Sequence, residues 1–186
     1  CDWSSDVCSS DLARHKLDVF EPAVKPARPL PVVIYVHGGG LTGGNKDSPG
    51  TPAEGLIYGN VGTYFAKKGM LGINATYRLV PGIRFPGGAE DIAGAVRWTR
   101  ANAARHGGDP NAIFIIGHSA GGTHVAGYLY SAAAQGAEGP LVAGAILLSP
   151  AVGAETRGER ENTARAYYGD DQALRSEEHT SELQSH

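Results

Sequence analysis

The apolar run Ala112-Ile113-Phe114-Ile115-Ile116 passes without a linker into Gly117-His118-Ser119-Ala120-Gly121-Gly122 and then into a helical pattern. Few folds accept a strand that turns so abruptly into a helix. Both elements must approach within backbone contact, so the residues two before and two after the apex have to be small. Gly117 and Gly121 stand at those places. Residues 112–116 therefore predict a strand buried on both faces, 120–134 a helix, and Ser119 the apex between them.

The rest of the chain repeats that alternation. Residues 16–21 alternate, with Leu17 and Val19 inward and Asp18 and Phe20 outward, and Pro22, Pro26, Pro29 and Pro31 close this short strand. The β-branched and aromatic run 32–36 is a second fully buried strand. Glycine, proline, asparagine and serine over 41–55 predict an irregular loop. Asn60 is read as the cap of a helix to about Lys68, with Val61, Tyr64 and Phe65 as its buried stripe and Gly69 as its stop. Residues 70–77 form the next strand. Residues 90–106 are the clearest helix, with Ile92, Ala95, Val96 and Thr99 at helical spacing, and Gly107-Gly108 ends it. Residues 142–148 read as a further strand. Strands alternating with helices predict a three-layer α/β fold around a mainly parallel sheet. No apolar run approaches the roughly 20 residues a membrane helix needs.

A serine at a helix N-terminus sits where the dipole and unpaired N–H groups favour developing negative charge. A glycine-serine turn can also be a plain N-cap or a phosphate-binding loop. A second pattern separates these readings. His37-Gly38-Gly39-Gly40 follows directly on the buried strand 32–36, and consecutive glycines leave N–H groups uncovered to face a carbonyl oxygen. Alone, such a run would read as a flexible loop. Paired in this order with the Ser119 turn, it points to acyl transfer with an oxyanion hole.

On these residues the chain resembles the hormone-sensitive-lipase-like and feruloyl-esterase-like branch of the α/β-hydrolase superfamily. The resemblance spans nearly all of 13–174. It includes Asn74-Ala75-Thr76-Tyr77-Arg78-Leu79, Phe85-Pro86 before the helix bearing Asp91 and Trp98, and Gly108-Asp109-Pro110 before the strand leading to Ser119. It implies a carboxylic ester hydrolase with Ser119 as nucleophile. Ala120, Gly39 and Gly40 then supply oxyanion N–H groups, with Gly38 a weaker candidate. A small-molecule ester is the substrate, and no metal or organic cofactor is called for. An amidase or peptidase of the same fold, and a ligand-binding homologue without turnover, are the alternatives. His37 is read as a scaffold for its loop, His118 as a contact to substrate or neighbouring loops, and His124 as structural or solvated. Asp91 and Arg97 are read as ion-pair residues, Tyr77 and Arg78 as support for the glycine loop, and His106 as a helix C-terminal residue. In this fold the acid and histidine follow the serine in sequence. Asp170 and Asp171 come too early for that acid, so neither partner is assigned.

The two ends do not fit this pattern. Residues 1–12 and 175–186 have neither a signal-peptide pattern nor an apolar face. Reverse-complementary codons in a shifted frame can encode Ser10-Asp11-Leu12 and Arg175-Ser176-Glu177, and likewise Cys1-Asp2-Trp3 and Leu183-Gln184-Ser185. Both resemble translated sequencing adapter. The expectation is a partial α/β-hydrolase domain over 13–174, lacking its C-terminal part and inactive by itself. Cys1 and Cys8 then carry no disulfide or metal inference. The ends hold six acids against Arg175, so leaving out their net charge of −5 turns the formal −3 into +2. Neither value implies a nucleic-acid partner. Compartment and oligomeric state are left open.

Overall fold

The computed structural model describes residues 14–24, 26–47, 52, 54–150 and 159–170. Cys1, Cys8, Asp171, His179 and His186 lie outside them, as do both adapter-like ends.

Five strands form one sheet in the order β1 (Leu17–Phe20), β3 (Leu71–Ala75), β2 (Leu30–Val36), β4 (Gly108–His118) and β5 (Gly144–Leu148). Among the described strands only β1 runs antiparallel to its neighbour. The helices are α1 (Gly59–Lys67), α2 (Gly87–Asn102), α3 (Ala120–Tyr130), α4 (Ala132–Gln135) and α5 (Glu159–Tyr168). The sheet with helices on it is the predicted α/β architecture. Central β2 buries Val32 to Val36 on both faces, whereas β4 buries Ile113 and Ile115 on one face and leaves Phe114 exposed on the other, so the two-face burial expected of 112–116 holds for one face alone.

The two faces are covered unequally. On one, Val32, Ile34 and Val36 of β2, Ile73 of β3 and Ile113 and Ile115 of β4 pack with Ile92 and Val96 of α2 and Val125 of α3 in a single core. On the other, α1 lies over β1 and β3, where Gly62 accepts the Phe20 ring and the backbone of Gly72. Beyond α1, on the same face, Phe114, Ile146 and Leu148 remain 41%, 54% and 45% exposed.

Several local expectations are corrected. Asn60 lies inside α1, whose N-cap is Tyr58 and has no side-chain cap. The buried stripe of α1 is Gly62 and Ala66, while Tyr64 is exposed. Close approach to Phe20 and Gly72 selects small residues there, which an apolar count overlooks. Helix α2 starts three residues early because Pro86 is its N-cap and Gly87, Gly88 and Ala89 are buried. It stops at Asn102, and Ala103–His106 continues as a 3-10 turn. The helix expected over 120–134 breaks at Ser131, whose hydroxyl accepts from the Ala134 amide and caps α4.

Candidate active site

Strand β4 delivers Ser119 to the C-terminal end of the sheet, and α3 begins at the next residue. Ser119 has φ 52° and ψ −120°, a left-handed conformation that costs a non-glycine residue on the order of 1–3 kcal/mol. The surroundings hold it there. Its amide donates to Leu148 O at 2.8 Å, and its carbonyl accepts from the Thr123 amide at 3.1 Å. A Cβ on Gly117 would lie 2.7 Å from Gly121 O, and one on Gly121 would lie 2.5 Å from both Val36 O and His37 O. Both glycines are therefore required by close approach, as the sequence suggested. Ala120 opens α3, where the first amides of a helix have no intrahelical acceptor.

The glycine run leaves β2 beside this turn. A Cβ on Gly38 would stand 3.2 Å from Ser119 Cβ and 2.9 Å from His118 Nδ1, so the loop is in direct contact with the serine. Gly39 and Gly40 have φ 142° and 61°, a path open to glycine. The loop folds back on itself, with the Gly43 amide donating to Gly39 O at 2.9 Å.

His37 is fully buried and its Nδ1 is 2.7 Å from Gly38 O. Burial pushes its pKa down to about 4, with the nearby Arg14 charge adding to that and the Gly38 contact opposing it. A neutral ring donating through Nδ1–H is a brace for the loop and a poor proton acceptor at neutral pH. Tyr77 stacks on it with centroids 4.4 Å apart, and the Tyr77 hydroxyl donates to His37 O at 2.9 Å. The reading of His37 and Tyr77 as support for the glycine loop matches this geometry.

His124 is buried rather than solvated. Its Nδ1 is 3.0 Å from the Tyr167 hydroxyl, its ring meets Tyr77 edge-on, and burial lowers its pKa to about 4. Asp91 is buried as well, and its ion pair joins different elements. Arg78 Nη2 approaches its carboxylate at 2.6 Å, the Arg78 amide donates at 2.8 Å, and His15 Nε2 stands 2.8 Å away. Burial alone would raise the Asp91 pKa; the bonds from His15 and Arg78 outweigh it and hold the carboxyl low. Arg97 is exposed. His106 pairs with Glu21 at 2.6 Å at the end of the 3-10 turn. His118 stays beside the glycine loop. Among the described residues no histidine is hydrogen-bonded to Ser119, and Asp170 lies on the surface near Arg165.

Sequence reasoning missed Arg14, His15, Lys46 and Tyr167. Lys46 ties the far end of the glycine loop to Asp18 of β1 at 2.7 Å, and Tyr167 joins Leu41, Val80, Ile83 and Ala120 in a second apolar cluster. The basic residues bordering the two strands were a visible signal, but their partners are remote in sequence. Among the described residues no group of three or more His, Cys, Asp or Glu could hold a metal ion. A groove lined by Phe20, Pro22, Val24, Leu30 and Ala66 opens at the opposite end of the sheet from Ser119.

A mainly parallel sheet, a serine at a strained strand-to-helix turn and a glycine loop against it define an α/β-hydrolase fold. The chain belongs to the BD-FAE family, whose model matches residues 17–138. It is 32% identical over 122 residues to Esterase B1 of Culex pipiens, covering 64% of this chain and 23% of that protein. It is 39% identical over 93 residues to Carboxylesterase NlhH of Mycobacterium tuberculosis, covering 50% of this chain and 27% of that protein. Thermogutta terrifontis esterase 2 phosphonylated by sarin superposes with a TM-score of 0.69 at 25% identity, covering 88% of this chain and 62% of that one. Esterase B from Lactobacillus rhamnosis gives 0.66 at 26% identity, covering 90% and 55%. The chain thus spans about a quarter of the length of these curated relatives.

Proposed function

We propose that the whole protein is a carboxylic ester hydrolase that works through an acyl-enzyme on Ser119. The observation that carries this reading is the left-handed backbone of Ser119 at the head of α3, with the Gly38 backbone against its Cβ. The serine oxygen attacks the ester carbonyl, and the amides of Ala120, Gly39 and Gly40 receive the resulting oxyanion. The alcohol leaves, and water then releases the acid. Esterase names among the relatives support an ester over an amide as substrate. Among the described residues no acid or histidine is assigned as the general base for Ser119.

The test is covalent labelling. Thermogutta esterase 2 is phosphonylated by sarin, and a fluorophosphonate probe applied to the whole protein is expected to modify Ser119. The Ser119→Ala variant is expected to lose the label and to lose ester turnover by about 10⁴-fold or more. Equal labelling of both proteins would remove Ser119 from the mechanism.

A further inference from the structure

We propose that Arg14 is a positioning residue for the glycine loop, clamping Gly44 from behind so that the Gly39 and Gly40 amides stay aligned with Ser119; this rests on the acyl-transfer reading above. The Arg14 guanidinium bridges two carbonyls that belong to different parts of the fold. Its Nε donates to Tyr77 O at 2.8 Å and its Nη2 to Gly44 O at 2.5 Å. Tyr77 is the residue that holds His37 by stacking and by its hydroxyl.

Gly44 in turn is pressed against the loop. A Cβ on it would lie 2.7 Å from His37 Nδ1 and would run into Gly38 O. Its neighbour Gly43 donates to Gly39 O at 2.9 Å. Gly38 then abuts Ser119. The path from Arg14 thus runs through Gly44 to Gly38 and Gly39, where Gly38 leaves no room for a side chain beside Ser119.

The segment carrying Arg14 is fastened independently of its guanidinium. Thr76 Oγ1 donates to Arg14 O, the Thr76 amide donates to Lys16 O at 2.9 Å, and His15 sits on Asp91 at 2.8 Å. Shortening Arg14 therefore removes the clamp and leaves the segment docked. A planar guanidinium spans two carbonyls at fixed separation, whereas a lysine ammonium is a single point of contact.

An oxyanion donor acts on the transition state more than on bound substrate, so a misaligned loop lowers kcat and spares KM. In the whole protein, Arg14→Ala is expected to lower kcat for p-nitrophenyl acetate by about tenfold with KM within about twofold, a fraction of what losing a donor outright costs. Amide exchange over 38–44 should quicken while exchange over 113–116 stays as in wild type, and Arg14→Lys should fall between the two. Unchanged kcat with unchanged loop exchange overturns the proposal. So does a rise in KM alone, which would make Arg14 a substrate contact, or an equal rise in exchange throughout β4, which would make its role global stability. The exchange measurement needs no turnover. A wild-type protein that neither hydrolyses esters nor takes the phosphonate label overturns the acyl-transfer reading, and the clamp then stands or falls on loop exchange.

Discussion

The two halves of the site are held in different ways. The Ser119 turn is fixed mainly by the small residues beside it, since Gly117 and Gly121 let β4 and α3 close on each other and on the end of β2, with one remote bond from its amide to Leu148 O. The glycine loop is fixed from a distance, by Tyr77 of the segment after β3, by Arg14 before β1 and by Lys46 reaching back to Asp18. A turn built from local sterics is tied to the fold as a whole. A loop built on remote hydrogen bonds can loosen while the fold persists.

The strongest way to break that contrast is to crowd the turn. Gly121→Ala places a methyl 2.5 Å from two carbonyl oxygens of the β2 end, and overpacking of this kind costs about 1–3 kcal/mol or more. Thermal melting should show the whole domain destabilised, with exchange rising in β2, β4 and α3 together. A loss confined to the loop would refute the contrast.

Acid should act on both halves at once. His37 under the loop and His124 on α3 are each pushed by burial from 6.5 to about 4. The unfolded chain therefore takes up these protons first as pH falls. Stability from the two neutral rings is complete above about pH 6.5 and declines toward pH 4, by on the order of 1.4 kcal/mol per pH unit for each ring once below the unfolded value. Urea midpoints measured from pH 7.5 to 4.5 should fall, and His124→Phe should flatten the slope. An unaltered slope would mean that His124 does not contribute.

The smallest effect should be the most local. Tyr77→Phe removes the hydroxyl that donates to His37 O and should cost about 1 kcal/mol of global stability. Its exchange signature should concentrate at 37–44. Uniform exchange across the sheet would show that the loop and the core open together.

The same contrast explains what the sequence revealed. Strands β2, β4 and β5 were legible because each carries a continuous run of apolar residues, and the Ser119 turn was legible because its steric demands fall on adjacent residues. Four features were not. The Gly62 and Ala66 stripe of α1 is set by how closely β1 and β3 approach, a distance that sequence periodicity does not encode. The α2 start falls on glycines that read as loop, of which Gly88 is required because a side chain there would meet the His124 ring. The placement of β1 antiparallel beside β3, which brings Arg14 to the glycine loop, depends on long-range pairing. Asp91 shows the same limit, because its partners Arg78 and His15 come from two other segments.

The bare stretch of sheet over β4 and β5 has a calorimetric consequence. The heat-capacity increment of unfolding comes from apolar surface that is dry in the native state and becomes hydrated on unfolding. Phe114, Ile146 and Leu148 are partly wet already, and that share of their surface adds nothing. A chain carrying this exposed stripe should have a flatter dependence of stability on temperature than its length alone implies, and its resistance to cold should exceed what its melting point suggests.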